Sequence, residues 1–284
     1  MKSKMPHLPF QQVDVFSSEP FKGNPVAVVI GADQLSDRQM EDFAKWTNLS
    51  ETTFLLDPTT PEADYRVRIF TQVGELPFAG HPTLGTCHAW LTNGGKPRGD
   101  VIVQECGLGL VPVRRHERRL AFAAPALLRS GSLEEALLVR IAKGLRIERG
   151  AILHAQLIDN GPGWAAVQLG SRAEVLALDP DYAALNDLKL GVVGAWDAVQ
   201  DGLEAQFEVR AFAMGVGVKE DPVTGSLNAG LAQWLIGSSR APRSYVASQG
   251  TALGRAGRIF VDQVADDIWI GGVTKTIISG GVSF

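Results

Sequence analysis

Three side chains stand where proton chemistry could be built. His81 lies between Gly80 and Pro82 in FAGHPTLGT, Asp221 precedes Pro222 in EDPVTGS, and Glu51 sits in NLSETTFLL. Proline is tolerated in the first turn of a helix, where its missing N–H costs nothing, so the residue before each proline is expected at a helix N-cap. The segments that follow, 84–90 and 224–235, are apolar or small enough for helices buried on most sides. A helix start offers free backbone N–H groups and the positive end of a dipole, which together favour an anion, and Gly80, Gly85 and Gly225 would let backbone approach it closely. A small carboxylate suits such a site better than a polyphosphate, because the chain has neither a Walker A run nor GxGxxG. The plainer alternative is that His81 and Asp221 only cap helices. For Glu51, Asn48 is expected to stop a helix, which leaves the carboxylate at the mouth of a strand between Leu49 and Phe54. Local sequence favours a solvent-facing strand start over a group projecting into a pocket. Burial would raise the pKa of Glu51 and suit it to general acid-base work.

The elements that must position these residues are mixed. Alternating or continuous β-branched segments predict strands over 12–16, 25–30, 52–56, 66–71 and 101–104. Ser36 with Gln39 forms a capping box for a helix to about residue 47, with Met40, Phe43 and Ala44 inward. Ser132 with Glu135 predicts a second helix ending near residue 144, Ser171 with Glu174 a short third, and Asp179 before Pro180 a fourth. Internal repetition organises them. The run from Val67, VRIFTQVGELPFAGHPTLGTCHAWL, matches the run from Val209, VRAFAMGVGVKEDPVTGSLNAGL, at a separation of half the chain. Aligned on Pro82 and Pro222, Gly85 falls on Gly225, Thr86 on Ser226, Ala89 on Ala229 and Leu91 on Leu231. A looser echo joins QECGLGLVPV from Gln104 to QGTALGRAGRIFV from Gln249. A duplicated α+β unit is expected, its halves covering 1–125 and 126–274, with the last strand at about 275–284 returning to the first half. If a twofold axis relates the halves, both helix starts can meet in one electropositive cleft.

Composition removes other classes. A chain of 284 residues, 45% hydrophobic and 20% charged, is globular and soluble. A net charge of −4 argues against a nucleic-acid partner, and the basic run 114–119 between apolar segments reads as a solvated hairpin turn. No apolar run approaches the roughly 18 residues of a membrane span, and MKSKMPHLPF lacks the apolar stretch of a signal peptide. No membrane partner and a cytoplasmic location are therefore expected. Cys87 and Cys106 have no CxxC or metal-ligand spacing and are expected as buried small apolar residues. The five histidines make no HxxxH or HxH pattern, so no protein-built metal site is expected.

The ordered runs VDVFSSEPFKGNPVAVV, LSETTFL, RIFTQVGELPFAGHPTLGT, EDPVTGS and QGTALGRAGRI resemble the phenazine-biosynthesis (PhzF-type) family from about residue 10 to the end. The resemblance implies the diaminopimelate epimerase-like fold. This is an α+β arrangement of two pseudo-symmetric halves, each a mixed β-sheet wrapped around a central helix, with the active site in the cleft between them. It implies a homodimer and an isomerase that moves a proton on a small carboxylate-bearing substrate without metal or organic cofactor. Glu51 matches the family's acid-base glutamate, His81 its GHPT histidine, and Asp221 and Ser226 its DPVTGS residues. Glu51 would remove a proton from one carbon and return it at another, with His81 and Asp221 orienting the substrate and sharing protons. Gly80, Thr83, Gly225 and Ser226 would hold the substrate.

Several positions depart from the family pattern. Thiol-dependent racemases of this fold place two cysteines near the central helix starts, where this chain has Ala79 and Pro222. Asn228 replaces a common histidine and Gln72 a common proline, changes that bear on substrate choice. A non-thiol racemase or epimerase and an inert ligand-binding protein remain alternatives.

Overall fold

The computed structural model describes residues 6–213 and 218–284. The chain divides into two compact units, 1–123 with 271–284, and 124–270. The class is mixed α and β, with many strands and few helices.

The first unit contains β1 (His7–Val15), β2 (Asn24–Ile30), α1 (Asp37–Thr47), β3 (Thr52–Leu56), β4 (Tyr65–Phe70), β5 (Glu75–Leu76), α2 (Gly80–Thr92), β6 (Val101–Cys106), β7 (Gly109–His116) and β8 (Arg119–Ala123). All five expected strands fall on observed ones. The capping box also forms: Ser36 caps α1, and Asn48 ends it in the left-handed conformation at φ 57°. Every residue of β3 is buried, because α1 packs on this strand and so does α2. The basic run turns between β7 and β8, where His116 pairs with Arg119 and the turn residues are exposed.

The second unit contains β9 (Arg129–Gly131), α3 (Glu135–Leu145), β10 (His154–Asp159), β11 (Trp164–Leu169), α4 (Arg172–Ala177), β12 (Lys189–Ala195), β13 (Phe207–Ala213), β14 (Val218–Asp221), α5 (Gly225–Gly237), β15 (Ser244–Gln249), β16 (Gly257–Val264) and the start of β17 (Asp267–Ser283). Ser171 caps α4 as expected, accepting from the backbone of Glu174. Two helix expectations need correction. Helix α3 starts at Glu135 with Glu134 as its uncapped N-cap, so Ser132 lies outside it. Residues 182–187 form turns rather than a helix, and Asp181, not Asp179, accepts the N–H groups of Ala183 and Ala184.

The remainder of β17 belongs to the first unit, where 274–283 pair antiparallel with β1. With the β8–β17 contact this closes a ring of strands, β1, β2, β3, β4, β6, β7, β8 and β17. Helix α2 packs against β1, β2, β3, β4 and β8 of that ring. Its unbroken run of buried residues from Gly80 to Cys87 reflects that enclosure.

Both units repeat one pairing scheme. In the first, an antiparallel β1/β2 hairpin leads to parallel β2/β3, antiparallel β3/β4 with β5 alongside, parallel β4/β6 and antiparallel β6/β7. In the second, antiparallel β10/β11 leads to parallel β11/β12, antiparallel β12/β13 with β14 alongside, parallel β13/β15 and antiparallel β15/β16.

The repeated Val-Arg-x-Phe has a physical meaning in this scheme. Arg68 makes a two-pronged contact to Glu75 at 2.7 and 2.6 Å, and its guanidinium lies 5.0 Å from the Phe70 ring. Arg210 does the same with Glu220, at 2.9 and 2.8 Å, and lies 5.0 Å from Phe212. Each arginine thereby ties a central strand to the side strand that follows.

The proline-based alignment of the helices is corrected. Helix α2 begins at Gly80 with Ala79 as N-cap, placing His81 inside its first turn. Helix α5 begins at Gly225 with Thr224 as N-cap, so Asp221 ends β14 and Pro222 lies ahead of the helix. Pro can occupy a first turn or precede a cap, and the two copies use it differently. Aligned by helix starts, Gly80 meets Gly225, His81 meets Ser226 and Gly85 meets Gly230.

Gly85 also has a different role from the expected anion contact. A Cβ there would lie 2.3 Å from Val26 Cγ1, and one on Gly230 would lie 2.7 Å from the Ile158 carbonyl. Both glycines let a buried helix approach a strand.

Candidate functional site

In the first unit, three local devices deliver Glu51. The left-handed Asn48 turns the chain out of α1, the hydroxyls of Thr47 and Thr52 meet at 2.9 Å across the turn, and Gln72 donates to the Leu49 carbonyl at 3.4 Å. Gln72, the departure in the β4–β5 turn, thus holds the segment that carries the carboxylate.

Glu51 does not face solvent as local sequence favoured. Its side chain is only 16% exposed, and its Oε2 lies 3.4 Å from Nε2 of His81, itself 4% exposed. Burial pushes the Glu51 carboxyl up to about 7, against a smaller lowering from the Ser50 hydroxyl. Such a group is poised to exchange a proton near neutrality.

His81 is also held from behind. Its Nδ1 lies 3.3 Å from the side-chain nitrogen of Asn24, the buried first residue of β2. The neighbouring site residues divide. Gly80 opens α2 and is buried. Thr83 is fully buried, with its hydroxyl donating to the Ala79 carbonyl and accepting from Gln104, so it braces the helix start instead of facing a substrate.

In the second unit, Asp221 Oδ2 accepts from the Thr224 hydroxyl at 2.7 Å. Gln249 underlies this corner. It donates to the Asp221 carbonyl and the Thr224 hydroxyl, and accepts from the Thr224 N–H and from Asn228. Asn228, the other departure, is therefore a buried brace that also donates to the Thr224 carbonyl.

Gly225 and Ser226 are the first two residues of α5, and the Thr224 side chain, turned to Asp221 and Gln249, makes no capping hydrogen bond to the helix start. The Ser226 hydroxyl accepts from the Trp164 indole at 3.1 Å, which leaves its own proton to donate outward. The Asn160 amide donates to the Ser226 carbonyl at 2.8 Å, while its buried Oδ1 has no hydrogen-bond partner among the described residues. Free N–H groups, a donor hydroxyl and the helix dipole make this corner suited to an anion.

The structure brings Glu51 and His81 together in one unit, and Asp221, Gly225 and Ser226 together in the other. Sequence reasoning missed Asn24, Trp164, Asn160, Thr224 and Gln249. Two weak signals existed: Asn24 stands in the quoted GNP of the first run, and Gln249 opens the second echo. The thiols are unsuited to nucleophilic or acid-base roles near neutrality. Burial raises the Cys87 thiol to about 12 and raises Cys106 as well. Cys87 is buried as expected, whereas Cys106 is only half-buried, with its thiol toward the Gly109 carbonyl. No group of three or more His, Cys, Asp or Glu among the described residues is arranged to hold a metal ion. No helix among the described residues is long and apolar enough to cross a membrane.

The chain is 40% identical to "Antisense-enhancing sequence 1" of Schizosaccharomyces pombe, over 95% of this chain and 97% of that one. It is 35% identical to the trans-2,3-dihydro-3-hydroxyanthranilate isomerase of Pseudomonas aeruginosa, over 87% of each. The crystal structure of a PhzF-family phenazine biosynthesis protein from Enterococcus faecalis superposes with a TM-score of 0.81 at 26% identity, covering 98% of this chain and 99% of that one. The profile of the phenazine biosynthesis-like protein family matches residues 13–280, and the chain belongs to that family.

Proposed function

We propose that this protein is a cofactor-independent isomerase that moves a proton on a small, cyclic carboxylate-bearing metabolite, with Glu51 as the proton carrier. The observation that carries the reading is the buried Glu51 carboxyl, pushed up to about 7 and 3.4 Å from His81. As carboxylate it takes a proton from a substrate C–H; as carboxylic acid, its proton exchanging with solvent, it delivers a proton to a different carbon. His81 and Asp221 orient substrate polar groups and share protons, and Ser226 with the N–H groups of α5 receives the substrate carboxylate.

The raised thiols weigh against a two-cysteine racemase. The matching strand schemes support reading the two units as copies of one duplicated half. The reading includes a cytoplasmic homodimer, which light scattering of the purified protein tests for association state.

The isomerase of P. aeruginosa acts, by its name, on trans-2,3-dihydro-3-hydroxyanthranilate. That compound is the first probe. In heavy water the wild-type protein is expected to isomerise it with deuterium entering at a carbon other than the one deprotonated. Glu51→Gln is expected to lower the rate by about 10²–10⁴-fold while the fold persists. Label at an inverted carbon would point to a racemase, and unchanged turnover by Glu51→Gln would refute the proposed carrier.

A further inference from the structure

Which nitrogen of the His81 ring carries the proton decides what Glu51 meets. Nε2 faces Glu51 Oε2 at 3.4 Å, and Nδ1 faces the Asn24 side-chain nitrogen at 3.3 Å. An amide nitrogen only donates, so Nδ1 must accept, and the single proton of the neutral ring is left on Nε2. We infer that Asn24 is a positioning residue for the proton transfer: it fixes His81 as the Nε2–H tautomer, so that the ring presents a donor to the Glu51 carboxylate. The inference rests on the Glu51–His81 pair proposed above and adds the group that orients it.

The hairpin that carries Asn24 is fixed on both sides. Asn24 pairs with Val15 across β1 and β2. Just before it, the N–H groups of Lys22 and Gly23 both donate to Oδ2 of buried Asp14, each at 3.1 Å. A Cβ on Gly23 would lie 2.2 Å from the Val15 carbonyl oxygen, so the chain returns this closely only with glycine there.

The second unit repeats the device. Asp159, ending β10, accepts the N–H groups of Gly161 and Gly163, and the adjacent Asn160 donates to the backbone of Ser226. Ser226 is the second residue of α5, as His81 is the second of α2. An asparagine on the hairpin ahead of the helix thus secures the same helical position twice. In the first unit that position holds an ionisable ring.

The tautomer matters chemically. A lone pair on Nε2 would repel a carboxylate and favour protonated Glu51, withdrawing the base from the reaction. An Nε2–H donor favours the ionised form and tightens as charge returns to Glu51.

The test is a two-bond ¹H–¹⁵N correlation spectrum of protein labelled at histidine, with His81 assigned by its loss in His81→Gln. The neutral wild-type ring is expected to show a pyrrole-type Nε2 and a pyridine-type Nδ1. Asn24→Asp, isosteric but accepting only, is expected to bring a proton onto Nδ1, and Asn24→Ala to give a mixture of tautomers. Thermal melts identify which variants fold, and the wild-type spectrum decides the matter if neither does. A proton on Nδ1 of the neutral wild-type ring, or an unchanged tautomer in a folded Asn24 variant, overturns the inference. The functional reading fails separately, through absent proton exchange in a protein whose ring still carries its proton on Nε2.

Discussion

Glu51 is held in a surrounding that its neighbours in the chain do not announce. Leu49, Ser50 and Thr52 read as the approach to an ordinary strand, yet the carboxylate is mostly buried and lies 3.4 Å from His81 of distant α2. Residue types are legible in the chain: Glu51, His81 and Asp221 stand out by type and position, and Ser226 through the resemblance of its motif. Their supports are not, because Asn24, Gln249 and Trp164 act through contacts across long stretches of chain. The cost of this placement has a measurable sign. Unfolded, Glu51 ionises at its ordinary 4.5; folded, at about 7. The folded state therefore holds the proton more tightly, and the stability this residue contributes is present below pH 4.5 and lost as pH rises through 7. Two and a half pKa units correspond to about 3 kcal/mol. Glu51→Gln, uncharged throughout, is expected to exceed wild type in stability by up to that amount above neutrality, and to match it in acid. Urea unfolding at about pH 4 and about pH 8 checks this; a difference of equal size at both would deny the linkage.

At the level of elements, what could be read was what short-range rules govern. Strand patterns and the Ser36–Gln39 box were legible because side-chain alternation and capping are local. The starts of α2, α3 and α5 were not, since a proline or serine near a helix is compatible with more than one register. Gly85 shows the consequence: assigned to a ligand from its place near a helix start, it instead admits Val26 against α2. Gly85→Ala and Gly230→Ala are each expected to destabilise by about 1–3 kcal/mol through overpacking. They differ in remedy. The obstacle at Gly85 is a side chain, so Val26→Ala costs the Gly85→Ala protein less than it costs wild type. The nearest obstacle at Gly230 is the Ile158 carbonyl at 2.7 Å, with Ile158 Cδ1 at 3.1 Å, so trimming the Ile158 side chain is expected to give smaller relief. Double-mutant cycles from thermal melts measure both; equal coupling at the two sites would contradict the packing described.

For the molecule as a whole, internal repetition was the strongest large-scale signal. It was legible because each unit keeps an arginine tied to a glutamate on the next strand and a glutamine bonded to the fourth residue of its helix, Gln104 to Thr83 and Gln249 to Asn228. Residues 271–284 belong with the first unit although they end the chain, a long-range closure that a strand pattern suggests but does not locate. Folding is also what desolvates Glu51 and brings it to His81, a residue from a separate part of the chain. The most direct measurement is therefore a ¹³C NMR titration of the Glu51 carboxyl in labelled protein, assigned by its loss in Glu51→Gln. A midpoint near 7 in the folded protein, falling to the ordinary 4.5 on denaturation, is the expected result. A folded-state midpoint at 4.5 or lower would mean a solvated carboxylate and no proton carrier at this position.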